Sequence, residues 1–76
     1  MTLEKALTDL RKLAEEVEGL LSRTEASHVA GLISDEDWEV ARSHIESRLN
    51  GINESIRIVE LRKTAEDAAK RLLGGS

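Results

Sequence analysis

The residues best placed for chemistry in this chain are Glu25 and His28. A Glu-x-x-His spacing puts a carboxylate and an imidazole on one face of a helix, the arrangement that carboxylate-bridged di-iron bundles use. Two copies of the chain would supply two such pairs, and a glutamate from each second helix, Glu36 or Glu39, would complete the set. Position argues against this. The pair falls in the last turns of its helix, next to a chain reversal where water has easy access, and the mid-bundle positions that would hold a preorganised metal are apolar. The expectation is no metal and no cofactor.

The other polar side chains have structural explanations. His28 is expected at the edge of a helix seam, satisfied by water or a neighbour, and His44 beside Ile45 reads as a flanking surface residue. Ser34 is explained by capping. Ser22, Ser27, Ser43, Ser47 and Ser55 lie on helices with no base and oxyanion donor in register, so no nucleophilic triad follows. There is no Gly-x-x-x-x-Gly-Lys loop and no Gly-x-Gly-x-x-Gly turn to cradle a phosphate. The chain is not expected to be an enzyme.

Composition narrows the partners. Eleven Lys and Arg stand against 15 Asp and Glu, a net charge of −4 and the wrong sign for an affinity built on neutralising phosphates. Arg57, Arg62, Lys63, Lys70 and Arg71 form a cationic stretch, but Glu60, Glu66 and Asp67 interrupt it and no aromatic residue is interleaved for base stacking. Nucleic acid is therefore not the expected partner, and a dimeric nucleic-acid-associated regulator is the alternative. No run approaches the roughly 20 apolar residues of a membrane span, and Met1 to Leu10 lacks a signal peptide's basic start and apolar run, so no membrane and a cytoplasmic setting are expected. With 76 residues and no cysteine, a single core supplies only about 3 to 5 kcal/mol, which leaves oligomerisation as the usual remedy.

The elements follow from spacing. Leu3, Leu7, Leu10, Ala14, Val17, Leu21, Thr24 and His28 alternate steps of four and three, the seam of an amphipathic helix, and Ala6, Leu13 and Leu20 widen it on one side. The spacing predicts a helix over about 3–30, capped at its start by Thr2. A tight turn follows at 31–34. Gly31 suits the left-handed position after a helix, Ser34 is a good N-cap, and Asp37 can complete a capping-box-like exchange. Ile33 and Trp38 are placed as a hydrophobic staple, and Asp35, Glu36 and Asp37 put negative charge where the helix dipole favours it.

The segment Ala30-Gly31-Leu32-Ile33-Ser34-Asp35-Glu36-Asp37-Trp38-Glu39 resembles the turn of the C-terminal oligomerisation modules called SHOCT domains, whose pattern is Gly, an apolar pair, Ser or Thr, acidic residues and an aromatic. The likeness covers these residues alone, and this chain continues well past it. A second likeness, in size and in Glu54-Ser55-Ile56-Arg57-Ile58-Val59, is to the hairpin co-chaperones of type III secretion needles.

The second helix is expected over about 35–73, followed by a flexible tail at 74–76. Trp38, Ala41, Ile45, Leu49, Ile52, Ile56 and Val59 share one stripe. Beyond it the apolar residues change sides, with Ile58, Leu61, Ala65, Ala68, Ala69 and Leu72 nearly opposite. Either one long helix, kinked near 50–53 or straight, carries a second face for another chain, or Asn50-Gly51 breaks it and Asn53 caps a third helix. The uninterrupted stripe favours the long helix, with residues 62–73 overhanging the first. Residues 1–41 carry ten acids and four bases and residues 42–76 five acids and seven bases, so antiparallel subunits would bring unlike ends together.

The expected protein is therefore all-α: an antiparallel helical hairpin of one domain over 1–73 that dimerises into a four-helix bundle. Its expected role is non-catalytic, as a scaffold, a small chaperone or an inhibitor of a partner protein, with phage or mobile-element origin included. The interface residues assigned to it are Ile52, Ile56, Ile58, Val59, Leu61, Ala65, Ala68 and Leu72, for a second copy of the chain and another protein.

Overall fold

A computed structural model describes residues 2–74. Its two helices are α1, Leu3–Val29, and α2, Asp35–Gly74, which pack antiparallel as a hairpin 64 Å long and 17 by 15 Å across. Among the described residues there is no strand, and no helix is long and apolar enough to cross a membrane.

Each end of α1 is built by the residues expected there. The Thr2 hydroxyl accepts from the Lys5 N–H at 3.1 Å, satisfying one of the free donors of the first turn. At the other end Gly31 adopts φ 80° and donates to the His28 carbonyl, while Leu32 donates to the Ser27 carbonyl, both at 2.9 Å. These two bonds make a Schellman closure, which uses the last carbonyls of the helix and turns the chain back. Ser34 then caps α2, its hydroxyl accepting from the Asp37 N–H at 3.1 Å.

The seam spacing also translates directly into burial. On α1, Leu7, Ala14 and Val17 are buried and Leu3, Leu10, Leu21, Thr24 and His28 half-buried. On α2, Ile52 is buried, and Trp38, Ala41, Ile45, Leu49, Ile56 and Val59 are half-buried. Ala14, Val17 and Ile52 form the centre, with Leu13, Ile45, Leu49 and Ile56 packed around them.

The favoured long second helix is present and one expectation is corrected. Asn50-Gly51 does not break α2, which removes the three-helix alternative, because the inward stripe carries through Leu49, Ile52 and Ile56 and packing outweighs a local break signal. The overhang of α2 is shorter than the span 62–73. Lys63 pairs with Glu4 at 3.8 Å and Arg11 with Glu60 at 2.8 Å, so α1 still lies alongside α2 at residue 63. The helix runs through Gly74, the first residue of the expected tail. Gly75 and Ser76 lie outside the described residues.

Candidate interaction surface

The hairpin is thin. Among the described residues only Leu7, Ala14, Val17 and Ile52 are buried, and no side chain is completely enclosed. Its accessible surface of 5867 Å² exceeds the about 4600 Å² of a compact monomer of this mass. The radius of gyration is 18.2 Å, against about 11 Å for a compact chain of this length.

The interface candidates divide between two faces. Ile52 and Ile56 belong to the hairpin's own core, where Val17 and Ala14 of α1 meet them, and Val59 is half-buried on the same stripe. After Val59 the inward position passes to Lys63, whose ammonium reaches out to Glu4. Charge has replaced hydrocarbon on the inside there, and hydrocarbon appears on the outside. Ile58 is 55% exposed, Leu61 59% and Leu72 82%, Ala65 is exposed beside them, and Ala68 is half-buried at the edge. Their steps of three and four keep Leu61, Ala65, Ala68 and Leu72 on one line of α2.

The turn end carries the other distinctive cluster. His28 lies face to face with Trp38, ring centroids 5.3 Å apart and planes within 10°. Its Nε2 is 2.6 Å from the Asp35 carboxylate, so one imidazole joins the last turn of α1 to the first turn of α2. The Asp35 carboxylate at the start of α2 sits favourably in that helix's dipole. Ile33 is half-buried, and the aromatic partner of Trp38 is His28. Glu25 is exposed on α1, and among the described residues no three His, Asp or Glu side chains are grouped as a metal would need.

Ion pairs decorate the outer surfaces. Arg42 reaches both Glu39 and Glu46, and these hydrogen bonds, with the attraction of the two carboxylates, hold its guanidinium above the usual arginine range. Arg57 donates to Glu54 at 2.9 Å, which holds that carboxyl below the usual glutamate range and raises Arg57 in turn. Glu66 pairs with Arg62, one turn earlier on the same helix, at 3.7 Å. At the open end of the hairpin a shallow cleft of about 440 Å³ lies between Leu3 and Glu4 of α1 and Arg62, Lys63, Asp67 and Lys70 of α2. It is lined by solvated charges of both signs and has the chemistry of a splayed helix end.

Several serine and threonine hydroxyls bond within their own helix. Thr8, Thr24, Ser55 and Thr64 each donate to the carbonyl four residues earlier. The surface that stands out is thus the outer side of α2, which burial reveals and which residue spacing had marked from Ile58 onward. Searches against family models, curated proteins and solved structures find no match to this chain.

Proposed function

We propose that this chain is a non-catalytic helical interaction module that self-associates, two hairpins packing as a four-helix assembly through the outer side of α2. The observation that carries this is the exposed line Ile58, Leu61, Ala65 and Leu72 on a hairpin whose own core holds four buried residues among those described. Exposed apolar surface arranged in a line is the usual mark of a contact made with another molecule. A hairpin this thin gains by burying that face against a second copy.

Such a bundle serves another protein as a scaffold, a helix chaperone or an inhibitor, and the cytoplasm is its proposed setting because a cysteine-free chain draws nothing from an oxidising compartment. Sedimentation equilibrium at micromolar concentration tests the association. The expected mass is twice the 8.4 kDa of the chain, and Leu61→Asp is expected to return it to one chain. A cooperatively melting monomer for the unaltered chain overturns the proposal.

A further inference from the structure

The outer side of α2 also has a direction. Five helical turns take about 18 residues, so Val40 and Ile58 lie on one line, and Val40 is itself 59% exposed. Between them that line passes closest to Ser47 and Gly51, both exposed and small, and is flanked by His44 and Glu54. Beyond Ile58 it carries Ala65 and Ala69, with Leu61 and Leu72 along one side. The face is therefore low at Ser47 and Gly51 and apolar from Ile58 onward.

Gly51 sharpens this. A glycine inside a helix costs about 1 kcal/mol relative to alanine. Within the hairpin that cost has no return, since a Cβ built at Gly51 would meet nothing within 4 Å. Close approach of a second helix gives the missing side chain a purpose.

We propose that the occupant of this face is α2 of a second copy, running antiparallel, with Leu61 of each chain level with Gly51 of the other. This rests on the self-association proposed above and assigns its face, direction and register. In that register Ala65 meets the second copy's Ser47, Leu72 meets its Val40, and Ile58 comes level with its Glu54, the residue that Arg57 holds at the flank of the face. The contact is isologous, as a closed two-fold dimer requires. A parallel arrangement sets Leu61, Ala65 and Leu72 against their own copies and Ser47 and Gly51 against theirs, leaving bulk at one end and a gap at the other.

Charge selects the same direction. The first turns of α2 carry Asp35, Glu36, Asp37 and Glu39, and its last turns carry Lys70 and Arg71. Antiparallel packing brings the acidic start of each helix beside the basic end of the other, and it opposes the two macrodipoles favourably. Parallel packing sets acid against acid.

The absence of native cysteine makes the test clean. Val40→Cys and Leu72→Cys, both at exposed positions, are treated with a short bis-maleimide separately and as an equimolar mixture refolded together. The mixture is expected to give a covalent dimer and neither variant alone to give one, because like positions in the antiparallel pair lie about 48 Å apart along the axis. A covalent dimer from Val40→Cys alone overturns the antiparallel direction. A sedimenting dimer that gives no product in the mixture overturns the face and register while leaving self-association standing. A monomer removes both.

Discussion

His28 stacks on Trp38 across the hairpin turn, and through Nε2 the same ring engages Asp35. The two contacts hold the end of α1 against the start of α2 and so set the register in which the seams meet. His28→Ala is expected to destabilise the protein by about 0.5 to 1.5 kcal/mol, the usual worth of an aromatic pair. Urea denaturation followed by far-ultraviolet circular dichroism measures it. Trp38 is the chain's one aromatic residue, so a red shift of its emission reports the lost cover directly. An unchanged midpoint and spectrum would count against the contact.

Gly31 holds φ 80°, where a side chain is strained even in open space. Gly31→Ala is expected to cost about 1 to 2 kcal/mol, with Gly31→Asn closer to the native value. The order of the two midpoints in urea is the measurement.

Ile52 and Ile58 are six residues apart on one helix and face opposite ways. Ile52→Ala opens a cavity beside Val17 and Ala14 and is expected to cost about 2 to 4 kcal/mol, enough to unfold much of the hairpin. Ile58→Ala is expected to leave helicity at high concentration unchanged and to weaken self-association. Helicity measured as a function of protein concentration separates the two.

Gly51 predicts opposite effects in two backgrounds. In Leu61→Asp, held monomeric, Gly51→Ala is expected to stabilise the hairpin by about 0.5 to 1 kcal/mol through helix propensity. In the unaltered chain the same methyl group is expected to weaken association, read as a higher dissociation constant in sedimentation equilibrium. A gain in both would remove the close approach.

Glu54 titrates below the ordinary glutamate range because Arg57 donates to it and attracts its charge. A carboxyl depressed by folding contributes stability that is present above its unfolded value, about 4.3, and lost as pH falls through the lower folded value. Carboxyl-resolved NMR titration is expected to show this low midpoint, and Arg57→Gln to move it upward. Both groups are exposed, so the effect on the melt is expected to be small.

Much of this architecture is legible in the residues. The steps of three and four from Leu3 to His28 place every seam residue correctly, because a helix rotates by a constant angle and burial follows that rotation. The turn is legible because Gly31 and Ser34 each answer a local backbone demand. Continuity through Asn50-Gly51 is harder to read, since the local signal for a break and the distant packing of Ile52 point opposite ways. His28 with Asp35 and Trp38 is illegible as a helical pattern, because the contact forms only once the chain has reversed between them. The reach of α1 as far as Lys63 depends on how tightly the turn closes, which spacing within one helix does not record.

The closed turn and the open end also differ in how far the chain must travel to make them. His28 and Asp35 are seven residues apart in sequence, whereas Arg11 and Glu60 are separated by 49. Loop-closure entropy makes the near contact cheap and the far one costly, so the hairpin is expected to zip from Gly31 toward Leu3. Opening runs the other way. The first turns of α1, held by exposed ion pairs over a solvated cleft, are the part of the hairpin that peels away first.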